Sequence, residues 1–444
     1  MSVGRAAAIT AIATLLSACG DPAVRNVLLI SVDTLRWDHL GLHGYSRATT
    51  PQIDAFFEDK TIFENAQSPA PCTLPALAQL MHGSYLPTPD RLSLAETLRS
   101  RGFATAAFVS QHQLRPEWHR GGASAVLASA TAAGFELFDV QGPEEVDGHG
   151  MSARTAREVS ERALAWLAKA PEPFFLWLHY FDPHDPYEPP ADFRDFDRGN
   201  SSPRSGDRRR DLMRERRPDQ PWFEAGHVFD AEDVGHLVNL YDGEIRFTDA
   251  QIGRVLDALT ARGLVDSTLV VFVSDHGEWL GEGGRWDHCL TLHEVELRVP
   301  FLWSVGGGRL AGQARVSAPV STLDLAPSVL ALLDIEHHPL AFDGANLADP
   351  PEERLLFADW RGATAVRRGN WKLVVGEAPL ALFEFDGQGA QAPRGLAQGR
   401  NRAGEGLAQE AELADAVGAF REAQPLAELH GEVLERLKSL GYIE

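Results

Sequence analysis

Cysteine, basic residues and long apolar runs are all scarce in this sequence. Three cysteines in 444 residues are too few for the disulfide framework that supports small secreted domains. Cys72 and Cys289 are therefore expected to be small buried residues, with pairing as the alternative. The 41 Lys and Arg residues against 63 Asp and Glu residues give a formal net charge of −22. This charge excludes a general nucleic-acid binder, because it would repel a phosphate backbone.

The first residues have the pattern of an export signal. One basic residue within Met1 to Arg5 precedes a short apolar run over residues 6–16, which is too short for a membrane span. The following Leu16-Ser17-Ala18-Cys19 resembles the bacterial lipobox, in which the cysteine is lipidated and becomes the new N-terminus. Residues 1–19 are therefore predicted to be removed or lipidated during export to the periplasm or cell envelope. Cys19 is the predicted anchor, and an ordinary cleaved signal is the alternative.

From Asn26 onward, short apolar runs alternate with helical patterns. This alternation predicts an α/β fold with a mostly parallel sheet that helices cover on both faces. A large domain is expected over 24–350, with an exposed arginine-rich insertion at 192–220, and a small C-terminal α+β subdomain over 355–444. The predicted strands of the large domain are 27–32, 103–109, 174–178 and 269–273, and its predicted helices are 75–83, 92–100, 154–169 and 245–262. The predicted elements of the subdomain are strands within 364–375 and 382–385 and a helix at 425–440.

Polar residues that can bind a metal follow three of the predicted strands. Asp33 follows the first, His179 and His184 follow the third, and Asp275 and His276 follow the fourth. Ligands of open α/β sheets bind beyond the carboxyl ends of the strands, and carboxylates with one imidazole suit a divalent cation. A helix cap or loop residue is the alternative interpretation of each aspartate.

A cysteine and a threonine precede the predicted helix that contains Pro75. A hydroxyl at a helix N-terminus lies near unpaired backbone N–H groups and the positive end of the helix dipole, which favour an anion. Thr73 is therefore either a nucleophile or a simple helix cap, and Cys72 is the competing nucleophile.

Motifs spread over residues 26–444 resemble those of the sulfatase family in the alkaline phosphatase superfamily. The matching segments, in family order, are VDTLRWDHLG (32–41), TLP (73–75), YFDPHDPY (180–187), YDGEIRF (241–247), SDHGE (274–278), VRRGNWKL (366–373) and LKSLGY (437–442). The resemblance implies an alkaline-phosphatase-like fold and an anionic ester substrate.

The resemblance also implies a site with one divalent metal. Asp33, Asp275 and His276 would hold the metal together with Thr73, with calcium expected and manganese or zinc as alternatives. Many relatives carry two adjacent aspartates where this chain has Asp33-Thr34. Two further residues have implied roles, with His184 contacting the ester group and His288 serving the leaving group. Asp242 and Asp249, which belong to the predicted helix before a strand, are expected to be structural or solvent-facing.

The nucleophile is the point at which this chain departs from the family pattern. Sulfatases convert the cysteine of Cys-x-Pro-x-Arg to formylglycine, but here Cys72 is one position too far from Pro75 and the arginine is absent. Thr73 occupies the formylglycine position, so formylglycine is not expected. Cys72 is predicted to be an unmodified thiol, with a disulfide to Cys289 as the alternative. Ala76 and Leu77 replace the Ser-His that often follows Thr-x-Pro in relatives, which removes a polar group that would assist the nucleophile.

Three functions are compatible with these residues. The first is a metal-dependent hydrolase of sulfate esters with Thr73 as the nucleophile. The second is a hydrolase or transferase of phosphate esters, phosphate diesters or phosphonates at the same site. The third is a binding lipoprotein without catalytic activity, which the retention of all the implied site residues argues against.

Overall fold

The computed structural model describes most of the chain between Val24 and Gln424. The described residues are 24–87, 91–119, 122–140, 154–185, 187–197, 231–336, 342–349, 351, 353–376, 380–385 and 400–424. The predicted export signal with Cys19, most of the predicted insertion and the predicted helix 425–440 lie outside them. Among the described helices, none combines the length and the apolar character needed to cross a bilayer.

The described part of the chain contains strands and α-helices with the following bounds. In chain order, the described strands are β1 (Asn26–Val32), β2 (Thr61–Phe63), β3 (Ala66–Gln67), β4 (Ala104–Val109), β5 (Leu137–Asp139), β6 (Phe174–Tyr180), β7 (Thr268–Ser274), β8 (Trp279–Leu280), β9 (Trp286–Asp287), β10 (Arg298–Val299), β11 (Phe301–Val305), β12 (Arg315–Val316), β13 (Val320–Ser321), β14 (Leu356–Trp360), β15 (Ala363–Arg368), β16 (Trp371–Val375), β17 (Ala381–Glu384) and β18 (Arg400–Asn401). The described α-helices are α1 (Pro51–Phe57), α2 (Thr73–His82), α3 (Leu94–Ser100), α4 (Gly122–Ala132), α5 (Ala156–Leu167), α6 (Ala231–Ala261), α7 (Glu294–Leu297), α8 (Leu325–Leu332) and α9 (Ala408–Ala423).

The central sheet is mostly parallel, as the sequence predicts. Its eight strands have the order β12-β2-β11-β7-β1-β6-β4-β5. The pairs that β1 forms with β6 and β7, and that β4 forms with β5 and β6, are parallel. Strand β11 is antiparallel to both of its neighbours. This strand was not predicted from the sequence.

Both faces of the sheet are buried. Val27 and Leu29 of β1 belong to one apolar cluster, which includes residues of α2, α3 and α4. Leu28 and Ile30 belong to a second cluster, which includes residues of α1, α5 and α6. Because side chains of a strand alternate between its two faces, this division confirms the predicted sheet with helices on both sides.

The C-terminal part contains an antiparallel sheet with one described helix. The sheet has the order β14-β15-β16-β17-β18, and α9 packs on it through Leu413 and Val417. The antiparallel strands confirm the sequence prediction of a small C-terminal α+β unit, whereas α9 was not predicted. The proposed boundary between 350 and 355 stays a prediction.

Helix α6 is longer than predicted, since it begins at Ala231 rather than at residue 245. Gly243 lies inside the helix, where glycine lowers helix propensity and favours a break. A Cβ at this position would come within 2.6 Å of the Phe193 carbonyl oxygen. The glycine therefore permits the neighbouring segment to approach the helix closely, and the helix continues through it.

Candidate active site

Three buried side chains meet at the carboxyl end of the central sheet. Asp33 follows β1, and Asp275 and His276 follow β7, which is the parallel neighbour of β1. One ligand atom from each of the three residues lies within 4.8 Å of the other two. All three side chains have almost no exposed surface. The predicted convergence of these strand ends is thus present in the structure.

The two carboxylates lack compensating charge within this cluster. Burial raises the pKa of Asp33 to about 7, and burial together with the neighbouring Asp33 raises the pKa of Asp275 well above its usual range. Among the described residues, Oδ2 of Asp33 and Oδ2 of Asp275 have no hydrogen-bond donor. Buried carboxylate oxygens without donors are costly. The cluster therefore fits a divalent cation.

His276 presents a lone pair to the same cluster. Its Nδ1 lies 3.0 Å from the carbonyl oxygen of Gly277, which can only accept a hydrogen bond, so Nδ1 carries the proton. Burial and the nearby His288 lower the pKa of His276 well below its usual value. The ring is therefore neutral, and its Nε2 lies 3.5 Å from Oδ2 of Asp275.

Thr73 brings a hydroxyl to this cluster from the first turn of α2. Its Oγ1 lies 3.1 Å from Nε2 of His276 and 3.5 Å from Oδ1 of Asp33. Because Nε2 of His276 is unprotonated, the hydroxyl donates toward one of these two acceptors. Asp33 and His276, which follow β1 and β7, are thus the polar partners of Thr73. Leu77 of the same helix as Thr73 offers no polar group.

The backbone after Asp33 is fixed by the long helix α6. Thr34 has a left-handed conformation, with φ of 54°, and its N–H donates to Oδ1 of Asp275 over 3.3 Å. The hydroxyl of Tyr241 donates to the Thr34 carbonyl over 2.9 Å and accepts from the N–H of Arg36 over 3.0 Å. This arrangement gives the YDGEIRF motif a structural role at the site.

Two further histidines face the cluster. The ring of His288 stacks on His276 with centroids 4.7 Å apart, and the ring of His184 meets His288 edge-on at 4.8 Å. Nδ1 of His288 lies 2.8 Å from Oδ1 of Asp287. Burial lowers the pKa of His288, but Asp287 and other nearby carboxylates outweigh it and raise the pKa to about 9. His288 is therefore a cation at neutral pH.

Cys72 and Cys289 form a disulfide across 217 residues of sequence. The expectation of an unmodified thiol at Cys72 is therefore wrong, and the alternative of a disulfide is confirmed. Both residues are buried, at 5 % exposure each. Cys72 is the N-cap of α2, directly before Thr73, whereas Cys289 directly follows His288. The disulfide thus joins two segments that carry predicted site residues.

His179 was named among the metal-competent residues at the strand ends, but it was not among the predicted site residues. Its Nε2 lies 3.7 Å from Oδ2 of Asp33, and its Nδ1 lies 2.9 Å from Oγ of Ser31. Ser31 in turn accepts the indole N–H of Trp177 over 2.9 Å. In the parallel register Ser31 pairs with His179, so both residues lie beside the end of β1. The signal in the sequence that could have placed His179 at the site was its position at a strand end.

Asp242 and Asp249 lie away from the cluster and are buried, at 0 % and 1 % exposure. Asp242 accepts from Tyr45 and Arg47, each over 2.6 Å, and lies 2.7 Å from Nδ1 of His39. Asp249 accepts from backbone N–H groups of α1. Both are structural, as expected, and the alternative of solvent-facing residues is wrong.

Comparison with known proteins gives a consistent family relationship. The family model described as Sulfatase matches residues 25–335. An ulvan-active sulfatase of Formosa agariphila is 27 % identical over 74 % of this chain, and this chain spans 65 % of that relative. A multifunctional alkaline phosphatase superfamily protein of Trinickia caryophylli is 27 % identical over 73 % of this chain and 76 % of its own length. The solved phosphonate monoester hydrolase of Agrobacterium radiobacter superposes with a TM-score of 0.66 at 18 % identity, over 90 % of this chain and 96 % of that chain.

Proposed function

This chain belongs to the sulfatase family, and from that premise we propose that it is a metal-dependent hydrolase of sulfate esters with Thr73 as its nucleophile. The observation that carries the proposal is the position of the Thr73 hydroxyl, 3.1 Å from Nε2 of His276 inside the buried cluster. As the first residue of α2, Thr73 also lies at a helix N-terminus, where unpaired N–H groups favour an anionic ester group.

The metal of the proposed enzyme would be held by Asp33, Asp275, His276 and Thr73. The donor-free oxygens of the two buried carboxylates support a cation at this position. A divalent cation there would supply Lewis-acid polarisation of the ester and of the attacking hydroxyl. We propose calcium, since oxygen donors predominate, with manganese or zinc as alternatives because one ligand is an imidazole.

The proposed reaction has two in-line displacements. In the first, Oγ1 of Thr73 bonds to sulfur as the bond from sulfur to the leaving oxygen breaks, and His288 gives a proton to that oxygen. Oδ1 of Asp33, which lies 3.5 Å from Oγ1 of Thr73, takes the Thr73 proton. In the second, the neutral His288 takes a proton from the attacking water as its oxygen bonds to sulfur, and Asp33 returns its proton to Oγ1 of Thr73 as the bond from sulfur to Thr73 breaks. A threonine ester lacks the second hydroxyl of a gem-diol, so elimination is not available and a second displacement is required.

The proposal also assigns a role to His184 and excludes formylglycine at Cys72. The ring of His184, which meets His288 edge-on, is proposed to contact the ester group. Formylglycine is not proposed, because the Cys72 sulfur is bonded to Cys289 and the arginine of the modification motif is absent.

The second candidate is hydrolysis or transfer of a phosphate ester, diester or phosphonate at the same site. Double in-line displacement through a hydroxyl nucleophile suits phosphorus as well as sulfur. The multifunctional alkaline phosphatase superfamily relative supports this candidate. A binding lipoprotein without catalysis is the third, and the close approach of Thr73 to His276 and Asp33 argues against it.

We also propose that the protein is exported and tethered by a lipid on Cys19 at the bacterial periplasm or cell envelope. The sequence pattern of residues 1–19 supports the export. The Cys72–Cys289 disulfide supports it further, because disulfides persist mainly in oxidising compartments. Mass spectrometry of the N-terminal peptide from a bacterial host tests the lipid on Cys19, and an unlipidated N-terminus at Cys19 or beyond would contradict it.

The experiment that tests the activity is a substrate panel with the purified protein. Aryl sulfate, aryl phosphate, bis-aryl phosphate and aryl phosphonate are assayed with calcium, manganese and zinc in turn. The highest turnover is expected on the sulfate, with loss in Thr73→Ala. Higher turnover on a phosphorus ester would favour the second candidate. Absence of turnover on every substrate would favour the third.

A further inference from the structure

The segment that carries His288 has an unusual backbone. Asp287 and Cys289, on either side of His288, both have left-handed conformations, with φ of 78° and 59°. Neither is glycine, and residues with a Cβ are disfavoured in this region. Such conformations persist only where surrounding contacts impose them. The position of His288 therefore depends on what holds its two neighbours.

Cys289 is held by three bonds, two to the segment Pro71–Cys72 and one to Trp360. Its sulfur is bonded to Cys72, its N–H donates to the Pro71 carbonyl over 2.9 Å, and its carbonyl accepts the indole N–H of Trp360 over 2.7 Å. The first two bonds lead to the same short segment, which ends at Thr73. The disulfide is the covalent link in this set and keeps the backbone of Cys289 beside that of Pro71.

The residues after Cys289 have separate anchors. The carboxylate of Glu296 accepts the N–H groups of Leu290 and Thr291, each over 2.9 Å. On the other side, Asp287 pairs with Trp279 in the β8–β9 ribbon. The disulfide is therefore the covalent restraint that acts on the residue directly adjacent to His288.

We propose that the Cys72–Cys289 disulfide is a positioning element that fixes the His288 ring against His276 and His184 for proton donation to the leaving group. The inference rests on the proposed function, since it concerns the acid of that reaction. Its consequence is specific, because proton donation requires the ring within hydrogen-bond reach of the leaving oxygen. A leaving group of low basicity departs without this proton, whereas a basic one requires it.

The test compares two aryl sulfates, or two aryl phosphonates if those are the better substrates, in the Cys72→Ala/Cys289→Ala double variant. The phenyl ester has the more basic leaving group and the 4-nitrophenyl ester the less basic one. We expect kcat/KM to fall about 10-fold or more for the phenyl ester and less than about 3-fold for the 4-nitrophenyl ester, in line with the size of general acid catalysis. An equal loss on both esters, or no loss, would overturn the proposal.

Two controls separate positioning from general destabilisation. Val255→Ala removes buried methyl groups from α6 on the face of the sheet that packs in the second cluster, and it is expected to lower the melting temperature without changing the ratio of the two rates. His288→Gln is expected to reproduce the altered ratio. Adding the two cysteine substitutions to His288→Gln should then change the ratio no further, since both act on one step; a further change would contradict the proposal.

A measurement without substrate distinguishes failure of this inference from failure of the proposed function. Hydrogen exchange of a peptide that covers residues 286–291 is expected to be faster in the double-cysteine variant than in the wild type. It should be unchanged in Val255→Ala. Unchanged exchange in the cysteine variant would overturn the positioning role even if the enzyme is active. A wild type that turns over neither ester would speak against the proposed function alone.

Discussion

Oγ1 of Thr73 lies 3.1 Å from Nε2 of His276, although the two residues are 203 positions apart in the sequence. The contact joins the first turn of α2 to the end of β7, and it gives the hydroxyl an acceptor that its own helix lacks. The absence of a polar residue at Leu77 therefore does not leave Thr73 without a partner. The hydrogen-bond acceptor for Thr73 comes from the strand ends and not from its own helix.

Replacement of Thr73 by valine tests this role with little change in shape. Thr73→Val removes the hydroxyl and retains the branched side chain, so the fold is expected to persist. The value of kcat/KM should fall by about 10³-fold or more, because residues that act as one catalytic unit show losses of this size when the nucleophile is removed.

The matched control is Thr73→Ser, which keeps the hydroxyl and is expected to retain activity within about tenfold of the wild type. Circular dichroism spectra should be the same for all three proteins. Comparable activity of the valine variant and the wild type would remove Thr73 from the nucleophile position.

Metal removal is expected to destabilise the protein more at pH 8 than at pH 5. The pKa of Asp33 is raised from 3.8 to about 7 by burial, so the metal-free folded state holds its proton more tightly than the unfolded chain. The stability linked to this proton is present below pH 4 and is lost as pH rises toward 7. A shift of this size corresponds to about 4 kcal/mol, and a bound cation offsets the loss.

Thermal melting with and without a chelator measures the effect at the two pH values. Asp275→Asn is the control, because it removes one of the two facing carboxylates. This variant should melt at a higher temperature than the metal-free wild type at pH 8, and added metal should change its melting temperature little. An equal effect of the chelator at both pH values would contradict the assignment of this cluster to a cation.

The sequence predicted the sheet and the convergence of Asp33 with Asp275 and His276, because both depend on local patterns and on a general property of parallel strands. It did not predict that α6 begins as early as Ala231, because tertiary packing overrides local helix propensity there. It also predicted a free thiol at Cys72, where the structure has a disulfide. That pairing depends on how two segments 217 residues apart in the sequence come together in the fold, and a local sequence pattern carries no information about this.

Glu294 of α7 contacts the C-terminal sheet through a buried ion-pair group. Its carboxylate lies 2.7 Å from Nζ of Lys372 and 3.4 Å from the guanidinium of Arg367, and Gln67 donates to it over 3.1 Å. Lys372 and Arg367 belong to the VRRGNWKL motif, so this motif has a structural role. All three charged side chains are at most 5 % exposed.

Glu294→Ala is expected to lower the free energy of unfolding by about 3–5 kcal/mol, because it leaves two buried cations without their carboxylate. Chemical denaturation measures this change. The control is Glu412→Ala, which removes the partner of Arg368 from a surface ion pair and should change the free energy of unfolding far less than Glu294→Ala does. Equal effects of the two substitutions would show that the buried group does not stabilise the contact between the two parts.

His288 should determine the alkaline limb of the pH–rate profile. Burial lowers its pKa, but Asp287 and neighbouring carboxylates outweigh burial and raise it to about 9. The ring is thus protonated at neutral pH and able to donate, and it loses the proton as pH rises through about 9. The rate of hydrolysis of a phenyl ester should therefore fall above this pH, while that of a 4-nitrophenyl ester should fall much less.

Asp287→Asn tests the cause of this limb, because the amide keeps the size of the side chain and removes its negative charge. The pKa of His288 should fall in this variant, and the alkaline limb for the phenyl ester should move to lower pH by about one unit or more. His288→Gln should lose the limb and depress the rate on the phenyl ester at neutral pH. A limb that stays in place in both variants would assign it to a different group and would remove His288 from the role of leaving-group acid.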